Sequence, residues 1–295
     1  MLFELRALYV CFFVLALSAC DDNPPVSNDR YHSSDQLFEK VAGNVEKAHS
    51  LQKDLEIDHS RLAAETESHM PPARVLLFSN IELESKLLEK SQLIGIDLPL
   101  RLLAYESLPN GPSKLIYNSY DYLASRYGLS PSGTTRTLFE SSMSQALQGV
   151  DPTDITHFGQ DQMRPDGIVT LDSPFDFEET SRRVLDAVSS AGDTVIFGEI
   201  DFHTRIRDFD VDIPPTRLIL FGAPGPGGKA MRDAPTLGLD AFCQKLLIWE
   251  DEQETVHLSF NDLLLIAERH DANKSIALRI IDFRLNRTFS GALNE

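Results

Sequence analysis

Pro71-Pro-Ala-Arg-Val-Leu-Leu-Phe78 returns as Pro214-Pro-Thr-Arg-Leu-Ile-Leu-Phe221, and the text around it returns as well. Upstream, Glu56-Ile-Asp58 matches Glu199-Ile-Asp201 at the same offset. Downstream, Ile94-Gly-Ile-Asp97 matches Leu237-Gly-Leu-Asp240. With small shifts, Leu102-Leu-Ala-Tyr-Glu106 matches Leu246-Leu-Ile-Trp-Glu250, Ala124-Ser-Arg-Tyr127 matches Ala267-Glu-Arg-His270, and Gly149 matches Gly291. Blocks recurring in one order at a nearly constant offset mark a duplication. The unit is far longer than a solenoid repeat, so each copy is expected to be a domain. The expected spans are 36–149 and 167–292. The linker falls at 150–166, where Asp, Pro and Gly are scattered.

Each copy helps to read the other. Phe177, Ser181, Val184, Leu185 and Val188 share one helical face, and Phe38, Val41, Val45 and Ala48 give its counterpart. Asp176 and Glu179 stand at capping-box spacing. Strands are expected at Ile168–Leu171, Val195–Ile200, Arg217–Phe221 and Lys245–Trp249. Thr255–Phe260 alternates apolar and polar residues, with Asp251–Glu254 as its hairpin turn. Asn110-Gly111 marks the same turn in the first copy. Ile276–Phe289 is ambiguous alone, but Phe139, Met143, Ala146 and Leu147 in its counterpart have helical spacing. Each copy therefore reads β-α-β-β-β-β-α. This is an α+β architecture with a mainly antiparallel sheet and helices on one face.

The N-terminus speaks to location. Ala7–Leu17 is an apolar run too short to cross a bilayer as a helix, and it fits the core of a secretory signal. Leu17-Ser18-Ala19-Cys20 follows, and it resembles the lipobox of bacterial lipoproteins. The resemblance implies removal of residues 1–19 and acylation of Cys20, a palmitate-type anchor that ties the body to a membrane. Residues 20–35 then read as a polar tether. Asp21 resembles an inner-membrane retention signal, which would place the body in the periplasm. With Cys11 removed and Cys20 acylated, Cys243 is the remaining thiol; its apolar setting, Leu239–Leu247, suggests a buried, inert one.

Composition narrows the rest. The chain has 295 residues, 42% of them hydrophobic, and a formal charge of −18. A phosphate backbone needs a basic surface, so nucleic acid is not expected as a partner. The partners expected are the membrane, through the lipid, and a small ligand or envelope protein of unknown identity.

The repeated residues resemble the DUF302 family, a bacterial domain of unknown function. The resemblance rests on Pro215-Thr-Arg-Leu-Ile-Leu-Phe-Gly-Ala-Pro224, Trp249-Glu-Asp251, Ser259-Phe-Asn-Asp262 and Ile266-Ala-Glu-Arg-His270. The first copy adds Ile57-Asp-His59, Ile96-Asp-Leu-Pro99 and Leu123-Ala-Ser-Arg-Tyr127. It implies two tandem TATA-binding-protein-like domains arranged as a pseudo-dimer. It implies no activity and no cofactor. The family's Ile-Asp-His is intact at Asp58-His59. In the second copy it becomes Asp201-Phe202, with His203 displaced by one, which on a strand would move it to the other face. The family's Gly-Asn-Pro is Ser79-Asn80-Ile81 in one copy and Gly222-Ala223-Pro224 in the other.

Candidate ligand-binding residues follow from these motifs: Asp58, His59, Asn80, Asp201, His203, Trp249, Asn261 and Asp262. Trp249, Asn261 and Asp262 could equally serve packing and side-chain-to-backbone bonds. The stretch Gly222–Lys229 is glycine-rich, yet Ala223 and Ala230 stand where a phosphate loop needs Gly and Ser/Thr. It reads instead as a turn-rich loop. Asp201, His203, Asp208, Asp210 and Asp212 lack calcium-loop spacing and read as a solvated acidic segment. With no catalytic motif, the sequence points to a non-catalytic binding or accessory module. The alternative is an enzyme or metal/cofactor protein with a site between the two copies.

Overall fold

The computed structural model describes residues 28–107, 111–159, 167–209 and 211–294. The signal segment, Cys20, Asp21, Asn110 and Asp210 lie outside them. In the first copy, α1 (His32–Lys47) precedes β1 (Gln52–Asp58), α2 (His59–Glu65), β2 (Ala73–Ser79) and α3 (Ile81–Leu88). Next come β3 (Leu100–Glu106), β4 (Ser113–Asn118), α4 (Tyr120–Tyr127) and α5 (Thr134–Ala146). The short strand β5 (Ile155–Phe158) lies between the copies in sequence. The second copy runs β6 (Ile168–Ser173), α6 (Phe177–Ser189), β7 (Val195–Asp201), α7 (Phe202–Arg205), β8 (Thr216–Gly222) and α8 (Pro224–Met231). It closes with β9 (Gln244–Glu250), β10 (Val256–Asn261), α9 (Leu263–Arg269) and α10 (Ile276–Ala292).

Local chemistry explains these boundaries. Asp58 and Asp201 end β1 and β7 and accept a hydrogen bond from the backbone N–H three residues on, at Arg61 and Thr204. They are N-caps, and they turn each strand directly into a helix. Asn80, Ser119, Asp176, Asp262 and Ser275 cap α3, α4, α6, α9 and α10 in the same way. Residues 28–35, read as part of the tether, are helical, and Tyr31 is buried there.

The strands form two five-stranded sheets, ordered β1-β2-β3-β4-β5 and β6-β10-β9-β8-β7. Pairing is antiparallel throughout, except that β5 joins β4 in parallel. The fifth strand thus has two origins. In the second copy it is β6, the copy's own first strand; in the first copy that place is taken by a strand from the expected linker.

This overturns the TATA-binding-protein-like expectation. That fold requires sheets curled into a saddle, and here both remain open five-stranded sheets, one of them mixed. Helices follow β1, β2, β7 and β8 directly.

The copies meet through tight turns. Gln92–Asp97 of the first reaches the sheet of the second, and Pro235–Gly238 of the second reaches the sheet of the first. A Cβ on Gly95 would lie 2.8 Å from Leu247 and 3.2 Å from Phe202; one on Gly238 would lie 2.9 Å from His59 and 3.2 Å from Leu103. Leu103 and His59 occupy the same places in copy one as Leu247 and Phe202 in copy two, so the two contacts are related by a pseudo-twofold. A side chain at either position would force these neighbours to shift. One apolar core, including Leu103, Phe202 and Leu247, runs through both copies; a second, including Val184, Phe221 and Phe289, lies within copy two.

Candidate functional site

At the pseudo-twofold the turns bring Asp97 and Asp240 together, each buried to 1% side-chain exposure. Arg101 Nη2 lies 2.6 Å from Asp97 and 3.2 Å from Asp240, tying the two. Arg126 donates to Asp97 at 2.8 Å, and the Tyr127 hydroxyl does so at 2.7 Å. Equivalent residues serve Asp240: His270 Nε2 lies 3.1 Å away, and Arg269 lies 3.9 Å away. Among the bonds that cross between copies are Asn118 Nδ2 to Asp240 at 2.9 Å and Arg126 Nη2 to Asn261 Oδ1 at 2.7 Å. Arg269 also donates to the Tyr122 hydroxyl. Phe158 of β5 packs edge-on against the His270 ring.

The electrostatics of this junction are lopsided. Burial alone would raise the Asp97 carboxyl, but Arg126 and Arg101 outweigh it and hold it below the usual range. Asp240 is held low in the same way, against burial, by the His270 hydrogen bond and Arg101. Lys245, 3% exposed, donates to the Asp240 and Cys243 carbonyls at 3.2 and 3.0 Å. Burial and the neighbouring Arg101 pull its ammonium down to about 8. Burial pulls the Arg269 guanidinium to about 10. Four buried cations, Arg101, Arg126, Lys245 and Arg269, thus face two carboxylates. Arg101 Nη1 and Arg269 Nε and Nη2 have no hydrogen-bond partner among the described residues.

The sequence-derived candidates separate in the structure. His59 is buried at the junction of the copies, its Nε2 3.1 Å from the Gly238 carbonyl, and burial lowers it to about 4. It is the counterpart of Phe202. Because β1 and β7 both end at the preceding Asp, the alternation argument made for the displaced His203 does not apply. His203 lies instead 2.6 Å from the Ile213 carbonyl. Asp58, Asp201 and Asp262 are helix caps, and Asp58 also pairs with Arg61. Trp249 donates to Ser259 across the hairpin and stacks on His257. Asn261 alone of the set joins the ionic junction. Cys243 is free and buried, as its setting suggested.

Sequence reasoning missed Asp97, Arg101, Arg126, Asp240, Lys245 and Arg269. The signal was present: several stand inside the very blocks that revealed the duplication. The glycine-rich stretch was also misread, because Pro224–Met231 is helical. Its Gly228 lies against Ala63 of α2, so the glycines serve close helix packing between copies.

Copy two also holds a cleft. In copy one, Asn80 caps α3 and donates to Ser142 on α5 at 3.0 Å, closing sheet edge to helix. The equivalent pair in copy two is Ala223 and Arg284. Alanine cannot bridge, and Arg284 pairs with Asp193 at 2.6 Å instead. Between α6, α10 and β8 there opens a shallow cleft, about 450 Å³ with the open solvent at its mouth included, lined by Val188, Ala191, Phe221, Ala223, Leu285 and Phe289 among others. A second hollow of about 240 Å³ adjoins it, sharing Phe221, Gln244, Leu285 and Phe289, and reaches Asp240, Lys245 and Asn261. A third, of about 280 Å³, lies between copies at His59, Phe197, Phe242 and Cys243. Among the described residues no group of three or more His, Cys, Asp or Glu could hold a metal ion.

The family described as a domain of unknown function, DUF302, matches residues 31–149 and 169–285. Over 109 residues the chain is 37% identical to proteins named fluoride-specific ion channel FluC 1 from Brucella suis biovar 1 (strain 1330) and Brucella abortus biovar 1 (strain 9-941). That stretch is 37% of this chain and 42% and 40% of those proteins, so the chain spans about two fifths of the length of these relatives. Among the described residues no helix is long and apolar enough to cross a membrane. A solved structure of an uncharacterized conserved DUF302 protein from Bacillus stearothermophilus is 13% identical, with a TM-score of 0.36 over 43% of this chain and 96% of that one.

Proposed function

The chain belongs to the DUF302 family, whose function is unknown, and we propose that in this member the two copies have divided their roles. Copy one is a closed scaffold. Copy two is a non-catalytic binding module for a small, largely apolar ligand. The whole is a lipid-anchored protein of a bacterial envelope. The observation that carries the binding reading is the cleft over the second sheet. It exists where the Asn80–Ser142 clasp of copy one has become Ala223 and Arg284. Its apolar walls suit the apolar part of a small organic molecule. The anchoring reading is supported by the Ala7–Leu17 run and the Leu17-Ser18-Ala19-Cys20 motif.

A neutral apolar fluorophore, N-phenyl-1-naphthylamine, tests the cleft. The full chain is expected to bind it saturably at one site. Leu285→Trp, which fills the cleft with an indole, is expected to weaken binding roughly tenfold or more. Equal binding by both proteins would overturn the reading. Radiolabelled palmitate tests the anchor: Cys20→Ala cells should show no label on this chain, and retained label would exclude Cys20 as the site.

A further inference from the structure

The ligand class can be narrowed by the charge at the cleft's inner end; this step rests on the cleft being the binding site. We infer that copy two takes an anionic amphiphile, with its apolar body between α6 and α10 and its acid group at Lys245 and Asn261. The apolar part follows from the walls, Val188, Phe221, Leu285 and Phe289. The acid group follows from three further observations.

First, Lys245 is almost wholly buried yet lines the inner hollow. Two of its three N–H donors go to the Asp240 and Cys243 carbonyls, which are neutral acceptors, and the third is uncommitted. Second, the Asn261 carbonyl oxygen is taken by Arg126, which leaves the amide NH₂ edge for another partner. Third, the surrounding charge does not balance. A buried cation without its own counter-ion is costly, and a bound carboxylate would offset part of the surplus of Arg101, Arg126, Lys245 and Arg269 over Asp97 and Asp240. The Asp240 carboxylate also lines the hollow. Its Oδ1 is held by Asn118 and Arg101 and its Oδ2 by His270, so it is already compensated and does not repel an incoming anion unopposed.

An apolar ligand alone would leave this surplus uncompensated, and a hydrophilic anion alone would leave the larger cleft empty. A chain carrying one acid group satisfies both ends. The titratable groups that face Lys245 come from several elements: Arg101 on β3, Asp97 in the preceding turn, and Asp240 and the Cys243 thiol before β9. Lys245 also faces the buried imidazole of His59 on α2.

Calorimetric titration of the full chain with decanoate and with 1-decanol tests the inference, since the two share a tail and differ in charge. Decanoate is expected to bind roughly tenfold or more tighter at pH 7, as a charge-assisted hydrogen bond warrants. In Lys245→Met that preference should shrink to within about twofold, with decanol affinity kept. On the unmodified chain, raising the pH from 7 to 9.5 carries Lys245 through its titration near 8 and should erode the preference in the same way, whether or not the variant folds. Equal binding of the two ligands at pH 7, or a preference that survives both Lys245→Met and high pH, would overturn the anionic assignment and leave the cleft standing. Failure of both ligands and of the neutral fluorophore to bind would remove the cleft itself.

Discussion

Gly228→Ala adds a single methyl group at the closest approach between the copies. A Cβ built at Gly228 would lie 2.4 Å from the Ala63 Cβ and 3.0 Å from the Ser68 Oγ. Carbon atoms in contact sit about 3.5–4.0 Å apart, so α2 and α8 would have to separate by more than about 1 Å. The obstructing group is itself a methyl, fully buried on α2, and cannot swing aside. Overpacking of this kind costs about 1–3 kcal/mol, and alanine's better helix propensity returns up to about 1. A net loss of about 1–2 kcal/mol remains, a fall of roughly 2–8 °C in Tm for a chain of this size. Gly43→Ala is the control, because Gly43 sits within α1 with nothing inside 4 Å of its added Cβ. It is expected to stabilise by about 0.5–1 kcal/mol. Both are read by thermal and urea denaturation. Ala63→Gly combined with Gly228→Ala removes the clash, and a coupling of about 1 kcal/mol or more is expected between them. A Gly228→Ala protein as stable as the unmodified chain, or additive behaviour in the double variant, would refute the close-packing account of the glycine-rich helix.

Other outcomes follow from the same contacts. His59 titrates near 4 when folded, against 6.5 free, because burial keeps it neutral. Its stabilising contribution is present above pH 6.5 and is lost as pH falls toward 4, at a cost of about 3 kcal/mol. His59→Phe, which installs the residue copy two uses at Phe202, should flatten that part of the pH–stability curve; an unchanged slope would exclude His59 as its source. Glu84 behaves oppositely: burial raises it to about 7, so its contribution is present below 4.5 and lost as pH rises through 7. Glu84→Gln should lessen the decline between these values, and an unchanged curve would count against the assignment. Arg126→Met should cost about 3–5 kcal/mol in urea denaturation, since Asp97 stays buried with a partner removed; a loss below about 1 kcal/mol would show the junction to be dispensable. Restoring the clasp with Ala223→Asn and Arg284→Ser should close the cleft and abolish fluorophore binding; unaltered binding would place the ligand elsewhere.

Local pattern made the secondary structure legible, and duplication made it more so. Ile276–Phe289 became readable as a helix only beside Phe139 and Met143. What pattern could not supply was the partner of each strand edge. Nothing in Ile155–Phe158 announces that a linker segment will pair with β4, because edge pairing depends on which backbone donors are left open in space. The same limit explains the saddle expectation. Whether two similar sheets curl or remain open depends on the helices and turns between them, and those helices begin at Asp58 and Asp201, whose capping role short motifs do not distinguish from a ligand-binding one.

The ionic junction shows why recurrent chemistry is a better guide to the site than lone histidines or glycine-rich loops. Asp97 and Asp240, Arg126 and Arg269, Asn118 and Asn261 each occur twice at matching places, so a pseudo-twofold must bring the members of each pair near one another if the turns meet at all. Symmetry of that kind puts like charges together, two acids and then two guanidiniums, and it is tolerable only where further groups offset it. Copy one supplies Arg101 between the acids, and its equivalent in copy two is Lys245, since Arg101 pairs with Leu77 as Lys245 pairs with Leu220. Copy two supplies Lys245 toward the cleft. The copies have therefore kept a cation at the equivalent position while changing its kind and its contacts, and surplus positive charge lies on the side where the apolar cleft opens. A scaffold selected for stability alone would gain by losing Lys245 to a hydrophobic residue, because a buried cation without its own counter-ion is costly. Lys245→Met should accordingly leave the fold as stable as before or more so, while removing discrimination for the acid. If the variant proves strongly destabilised instead, with decanoate still preferred, Lys245 belongs to the packing of the junction and not to ligand recognition.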